Sequence, residues 1–349
     1  MDASTRNLGS RFPPAEGERR RWAELPESVR TSLERHLGAR VIDETSERGG
    51  FSPGVASRIV LSDGRRMFAK VVSAEANRDS PEFHRREARI LAQLPPDLPV
   101  PRLLSVYDEG SWVALFLEEI AGRSPRLPWD PSELRRVLRG LENLLERLTP
   151  APFDAPGFGE LHRHQFREWH RISGSTDLRD QLRATFGPGA LDRLAQLREL
   201  ETRLDAAASG RTLLNSDVRA DNVLLTDDRV YFADWPSACR AAPWVELALF
   251  LPSVAMQGGP EPWTLFDASP LSRDADADAV DAVLAGLSGF LVGNSMKPPP
   301  PGLSTLRPFQ RAQGVETLRW IAHRWDAERG RPGIPESGGS RRVGFPNRN

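Results

Sequence analysis

The chain has 349 residues, 39% hydrophobic and 27% charged, a composition that suits a folded protein long enough for two cores. Its 47 basic side chains against 48 acidic ones leave a formal net charge of -1, which argues against nucleic-acid binding by bulk electrostatics. A single cysteine excludes an intramolecular disulfide and a Cys-rich metal site.

Residues 1–24 are polar, with two prolines and an Arg cluster, and read as a flexible arm. No apolar h-region opens the chain and no apolar run reaches about 18 residues. Neither a targeting segment nor a membrane span is therefore expected, and the expected location is cytoplasmic. A short helix follows, with Val29, Leu33 and Leu37 on one face and Gly38 at its end. Strands are expected at 41–42, 55–61 and 67–72, the last two joined by the hairpin signal Ser62-Asp63-Gly64-Arg65. A helix is expected over 80–94, capped by Ser80 with Pro81 behind it and stopped by Pro95-Pro96. Strands at 103–107 and 112–117 complete a mostly antiparallel sheet with one helix inserted after its third strand.

Beyond Gly122 the pattern turns helical. Asp130-Pro131-Ser132-Glu133 opens a helix whose apolar stripe runs from Leu134 to Leu148. Further helices are expected near 160–172, 188–207, 243–256, 277–292 and 307–328. Short strands are expected only at 223–225 and 230–233. The tail from 330 is rich in Gly, Arg and Pro and is expected to be disordered. There is no internal repeat. The organisation expected is an arm (1–24), a β-rich lobe (25–117), a hinge (118–122), a helical lobe (123–329) and a tail (330–349), an α+β chain overall.

Only two of the 47 basic residues are lysines, Lys70 and Lys297. Lys70 lies inside a strand, on the face shared by Phe68 and Val72. A lysine there either snorkels to water or has a partner. A chain that otherwise uses arginine points to a role for a compact ammonium. Glu87 is the candidate partner, because Phe83, Ile90, Leu91 and Leu94 place it on the apolar face of the 80–94 helix. Farther on, Asp217 follows an apolar pair, Asn222 precedes a short strand, and Asp234 ends the strand that hairpins back. One Asp and one Asn at such a hairpin end suit Mg²⁺, which takes few protein oxygens and completes its shell with phosphate and water. Asp217 is then left to orient a hydroxyl.

This ordered set resembles the aminoglycoside phosphotransferase family of the protein-kinase-like fold, over about residues 40–325. The resemblance implies a two-lobed fold and transfer of the γ-phosphoryl group of ATP to a small-molecule hydroxyl, with Mg²⁺. The acceptor it implies is an aminoglycoside-like antibiotic or another metabolite, with no nucleic-acid or membrane partner. It makes Asp217 the catalytic Asp, Asn222 and Asp234 the metal ligands, Lys70 the α/β-phosphate lysine and Glu87 its partner. Gly49-Gly50-Phe51-Ser52-Pro53-Gly54 is similar to the loop over the phosphates, giving Gly50, Ser52 and Gly54 as contacts. Leu117-Glu118-Glu119-Ile120-Ala121-Gly122 is similar to the hinge, where the backbone of Glu118 and Ile120 would bind adenine. Arg219, two residues after Asp217, stands where kinases place a γ-phosphate cation. Two positions depart from the family pattern: His-Gly before the catalytic Asp is Asn215-Ser216, and the Asp that supports the loop is Glu246. These departures motivate a second reading, a catalytically weak kinase-like protein acting by nucleotide binding or protein interaction. A protein-side-chain kinase would need an activation segment, and helix is expected almost at once after Asp234.

Other polar clusters have simpler readings. His162, His164 and His170 do not share one helix face, Cys239 reads as a small loop side chain, and Asp274, Asp276, Asp278 and Asp281 read as charge at a helix N-terminus. Neither a P-loop nor a dinucleotide fingerprint occurs.

Overall fold

In the computed structural model, residues 12–47, 49–51 and 54–330 are described. Ser52 lies outside them, as do the first 11 residues of the expected arm and the tail from 331.

Helix α1 (Glu27–Leu37) precedes strands β1 (Val41–Ser46), β2 (Val55–Leu61) and β3 (Arg66–Ser73), then α2 (Ser80–Leu91), β4 (Leu103–Asp108) and β5 (Trp112–Leu117). All neighbouring strands pair antiparallel in the order β1-β2-β3-β5-β4. The period of two in β3 sorts its side chains to two faces. Met67, Ala69 and Val71 join Leu33, Ile59 and Phe116 in a core under α1. Phe68 and Val72 face the other way, into a second core that runs through the rest of the molecule. Lys70 is on that second face, in register with Ala56 of β2 and Leu115 of β5.

The helix expected over 80–94 ends at Leu91, and its cap is Asp79 rather than Ser80. Asn77 explains the earlier start: its Oδ1 accepts the Asp79 and Ser80 backbone N–H groups at 2.9 and 3.1 Å. Residues 12–24 are not a loose arm. Trp22 is 4% exposed in the α1 core, within a 3-10 turn over Trp22–Glu24.

The second lobe begins with α3 (Pro131–Arg147), N-capped by Asp130. The single helix expected over 160–172 is two, α4 (Phe158–His162) and α5 (Glu168–Ser173). Helix α6 (Thr176–Phe186) was not expected. The 188–207 region is a 3-10 turn, then α7 (Leu194–Glu201) and α8 (Leu204–Ala207). Gly187 and Pro188 punctuate this stretch and limit each piece to a few turns. Next come β6 (Thr212–Leu214), β7 (Val223–Leu225), β8 (Val230–Phe232) and β9 (Cys239–Ala241). Last are α9 (Pro243–Met256), α10 (Pro262–Ala268), α11 (Ala277–Ser295) and α12 (Leu306–Gly330). Strands are therefore not confined to β7 and β8. β6 pairs with β9, too short at three residues each to show a period. That puts Cys239 in a buried strand rather than a loop.

Two short ladders frame the loops that matter. Residues 215–222 leave β6 and enter β7, while residues 233–238 leave β8 and enter β9. Helices α9 and α11 form the floor, with nearly every side chain of α9 buried. Among the described residues, no helix is long and apolar enough to cross a membrane.

Candidate active site

The cleft between the lobes holds a cavity of about 150 Å³ lined by residues of both. Lys70, Glu118 and Ile120 reach it from the first lobe, and Asn222, Leu224 and Asp234 from the second. Lys70 Nζ donates to both Glu87 oxygens, at 2.7 and 2.8 Å, and to Asp234 Oδ1 at 2.7 Å. The lysine thus joins α2 to the end of β8, and its bond to Asp234 spans 164 residues of sequence. Burial opposes the charge on Lys70, but Asp234 and Glu87 outweigh it and hold its pKa above the ordinary lysine range. Burial also works against Asp234, yet the lysine beside it keeps its pKa below the usual value. Glu87, 2% exposed, is pushed upward by burial, with Lys70 pulling against the push. His84 completes the wall. Burial first and the Lys70 charge second lower its pKa to about 3, so it is neutral, and its Nδ1 meets the Ser80 carbonyl at 3.1 Å.

The catalytic-loop candidates lie opposite. Asp217 keeps 35% of its side chain exposed. Burial of its carboxyl raises the pKa to about 6; Arg219 opposes the rise, and Asp234 and Asp221 add to it. Asn222 donates its amide to the Asp217 carbonyl at 2.8 Å and to Oδ2 at 3.4 Å, which leaves its own carbonyl oxygen as a donor for a metal. Arg219 is close to Asp217, as its spacing implies, but its guanidinium is engaged there. It contacts Asp217 Oδ1 and grips Asp221 at 2.9 and 3.1 Å. Phe51 and Phe309 cover it at 5.5 and 5.9 Å, a cation–π setting.

Among the described residues, the only non-glycine positions with positive φ are Ser216 (60°) and Asp234 (63°), both in this site. Such conformations cost about 1–3 kcal/mol and need support from their surroundings. The support here comes from the two departures in sequence. Asn215 donates its amide to the Ala233 and Asp234 carbonyls at 3.2 and 3.1 Å, and its Oδ1 accepts the Asp217 N–H at 3.0 Å. Glu246, fully buried in the first turn of α9, accepts the Asn215 N–H at 2.8 Å and the Ser216 N–H at 3.0 Å. Burial raises its pKa to about 7. One side chain therefore ties the 215–222 loop to the backbone of Asp234, and the other ties it to α9.

The hinge is anchored on the second lobe. Arg123 and Leu225 exchange backbone hydrogen bonds at 3.1 and 2.7 Å. The Glu118 N–H donates to the Arg102 carbonyl at 2.8 Å, and the Ile120 carbonyl accepts from Arg58 at 2.7 Å. In the glycine loop, Gly54 has φ 122°, and a Cβ there would lie 2.3 Å from the Val71 carbonyl oxygen, so only glycine fits. Gly50 lines the cavity with φ 92°.

Arg19, Arg58 and Asp221 also line the cavity and were not identified from sequence. Arg58 alternates correctly along β2 for the inner face, a signal that was available. Arg19 gave none, being far from every motif. The clusters given simpler readings stay outside the cleft. His162 packs between Phe158 and Phe166. Asp276 caps α11, and Asp281 pairs with Arg324 and Trp325. Lys297 bonds Glu168 at 3.0 Å.

A sheet-plus-helix lobe joined by a hinge to a helical lobe, with a lysine–glutamate pair facing an Asp…Asn loop, defines the kinase-like fold. Residues 49–285 match the model of the phosphotransferase enzyme family, and the chain belongs to that family. No curated protein matches the sequence significantly. Solved structures show the same fold at low identity. A thermostable mutant of the aminoglycoside phosphotransferase APH(4)-Ia, bound to ADP and hygromycin B, is 15% identical with a TM-score of 0.55. That match covers 86% of this chain and 97% of the other. Choline kinase from Cryptosporidium parvum Iowa II is 13% identical with a TM-score of 0.52, covering 88% and 93%. The amicoumacin kinase hAmiN, in complex with AMP-PNP, Ca²⁺ and Ami, is 11% identical with a TM-score of 0.52, covering 87% and 95%.

Proposed function

We propose that this chain transfers the γ-phosphoryl group of ATP to a hydroxyl of a small molecule, an aminoglycoside-like antibiotic or another metabolite. The observation that carries this reading is the Lys70 ammonium held between Glu87 and Asp234 on the wall of the cleft between the lobes, with the Asp217 carboxylate beside Asn222, which lines the same cleft. Lys70 would neutralise the α/β-phosphates, with Glu87 fixing its position. The adenine edge would meet the Glu118 carbonyl and the Ile120 N–H, since their companion groups are already bonded. Gly50 and Gly54 let the loop backbone approach the phosphates closely.

The donor set suits Mg²⁺. Asn222 offers a carbonyl oxygen and Asp234 a second carboxylate oxygen beyond the one on Lys70. These are hard oxygens, few in number, with room for phosphate oxygens. When bound, the ion would supply charge neutralisation on the phosphoryl group. Asp217 would accept a hydrogen bond from the acceptor hydroxyl and take its proton. With a pKa of about 6 it is ionised at neutral pH. For Asp217 to do this, the Arg219 guanidinium must share it with the acceptor or turn toward the transferring phosphate.

One observation favours this over a catalytically weak kinase-like protein, and another favours it over a kinase acting on protein side chains. Asn215 and Glu246 do not leave the catalytic loop unsupported, as their hydrogen bonds show. Only residues 235–242 separate Asp234 from α9, so a long peptide-binding activation segment is absent there, which favours a small acceptor. The test is Mg²⁺-dependent ATP turnover against a panel of hydroxylated acceptors, wild type beside Asp217→Asn. Acceptor-dependent turnover by the wild type alone is expected. Equal turnover by both would reject Asp217 as the base.

A further inference from the structure

Residues 12–21 precede the stretch matched by the family, and they cross the cleft. On the second lobe, the Glu18 N–H donates to the Gly302 carbonyl at 2.7 Å, Thr305 donates its hydroxyl to the Glu16 carbonyl, and Phe12 packs on Gly258. On the first lobe, the Gly50 N–H donates to the Ala15 carbonyl at 2.7 Å and the Arg20 N–H to the Gly54 carbonyl at 3.0 Å. Glu16 bridges to Gly49 and Gly50, and Arg19 to Gly54. This strap therefore holds the glycine loop on one side and the start of α12 on the other.

Its one inward cation is placed with some care for space. Arg19 donates to the Gly49 carbonyl, and its guanidinium shares the cavity wall with Lys70, Asp221 and Asp234. A Cβ at position 50 would lie 2.7 Å from Arg19 Nη2, so glycine there makes room for the guanidinium as well as for the turn. The three basic residues of the cavity divide its length. Arg58 belongs to the hinge, bonded to Ile120, Gly122 and Glu47. Lys70 stands mid-cleft. Arg19 lies under the glycine loop beside the catalytic loop, where the far end of a polyphosphate would run. Burial lowers the Arg19 pKa while Asp234 and then Asp221 pull it up, so its charge lies within the field of both carboxylates, of which Asp221 is also paired with Arg219. A planar guanidinium fork also matches phosphate oxygens better than a point charge does.

We propose that Arg19 is a nucleotide-binding residue that the N-terminal strap delivers from outside the family domain, contacting the β- and γ-phosphates. The inference rests on the nucleotide-binding reading above. The strap then closes the cleft over the nucleotide and couples the two lobes, because its backbone is bonded to both.

Calorimetric titration of the full chain with Mg-ATP and with adenosine tests this. Arg19→Gln should weaken Mg-ATP by about tenfold or more, the scale of a lost charge-assisted hydrogen bond. Adenosine affinity should hold within about twofold, and Arg19→Lys should recover part of the loss. Gly17→Val removes no charge but forces the strap off Leu303, whose Cδ2 would lie 2.6 Å from the new Cβ. It should weaken Mg-ATP in the same selective way. Unchanged Mg-ATP binding in Arg19→Gln would overturn the proposal. So would an equal loss for adenosine, which would make Arg19 merely structural, or tighter Mg-ATP binding, which would make the strap a plug. Wild type that binds adenosine and Mg-ATP equally well overturns it too, while wild type that binds neither overturns the nucleotide-binding reading along with it.

Discussion

In the first lobe the residues of the proposed site ride on long regular elements. Lys70 is the fifth residue of the eight-residue β3, and Glu87 sits on the apolar face of the three-turn α2. In the second lobe Asp217, Asn222 and Asp234 lie on loops between strands of three residues. The regular elements fix where a side chain points by their period, so the residue type must be right. The loops fix it by hydrogen bonds, and different side chains can supply those bonds. Asn215 and Glu246 do so here, holding two positive-φ residues in place.

The largest effect should come from the regular side. Lys70→Ala leaves Glu87 buried against Asp234 without a cation, a change expected to cost about 3–5 kcal/mol of stability and to abolish transfer. Denaturant unfolding and turnover would show both. Lys70→Arg retains the charge but replaces a compact ammonium with a wide fork, and should lower transfer roughly a hundredfold through misplacement alone. Full retention of Mg-ATP affinity and transfer by that variant would show that the lysine has no special part.

On the loop side, Asp217→Asn should leave the fold intact and lower kcat by about 10²–10⁴, the scale of general-base loss. In the wild type, kcat/KM should rise with pH through about 6 and then level, as the carboxyl loses its proton. Asp221→Asn removes a neighbouring negative charge that raises this pKa, so the limb should move to lower pH. A limb that stays in place, or moves upward, would break the assignment. A smaller effect is expected for Asn215→Ala, about 1–3 kcal/mol from carbonyl groups left without their donor.

The subtlest prediction concerns Glu246. Its folded pKa of about 7 lies above its ordinary value of 4.5. Across that interval the folded state binds more protons than the unfolded one, so its contribution to stability is present below pH 4.5 and is lost as pH rises through 7. Glu246→Gln should flatten the pH dependence of the melting temperature over that window. An unchanged slope would mean that Glu246 is not the group responsible.

The same contrast explains what was legible in the sequence. The N-lobe could be read almost strand by strand, and the Lys70–Glu87 pair followed from two periodicities that converge on one face. Asp217, Asn222 and Asp234 were visible through their spacing around the β7–β8 hairpin. The β6–β9 ladder was not, because three residues carry no period. Helix α6, N-capped by Ser175, lies in the stretch between the helices expected at 160–172 and 188–207, where no element was expected. The resemblance placed Glu246 where a loop-supporting Asp is expected, but the bonds that Asn215 and Glu246 make in its place were not readable, since a hydrogen bond over 31 residues leaves no local pattern. Arg19 lay in a segment whose polar composition looks like an unpacked arm, though Trp22 and Leu25 nearby were apolar residues in need of a core.

The proposed function requires transfer, rather than hydrolysis, at Asp217. Phosphorus NMR of wild type with Mg-ATP and a pool of hydroxylated acceptors should show a new phosphomonoester resonance growing in step with ADP, and none with Asp217→Asn. ADP accompanied only by inorganic phosphate, or the same phosphomonoester formed at the same rate by both proteins, would contradict it.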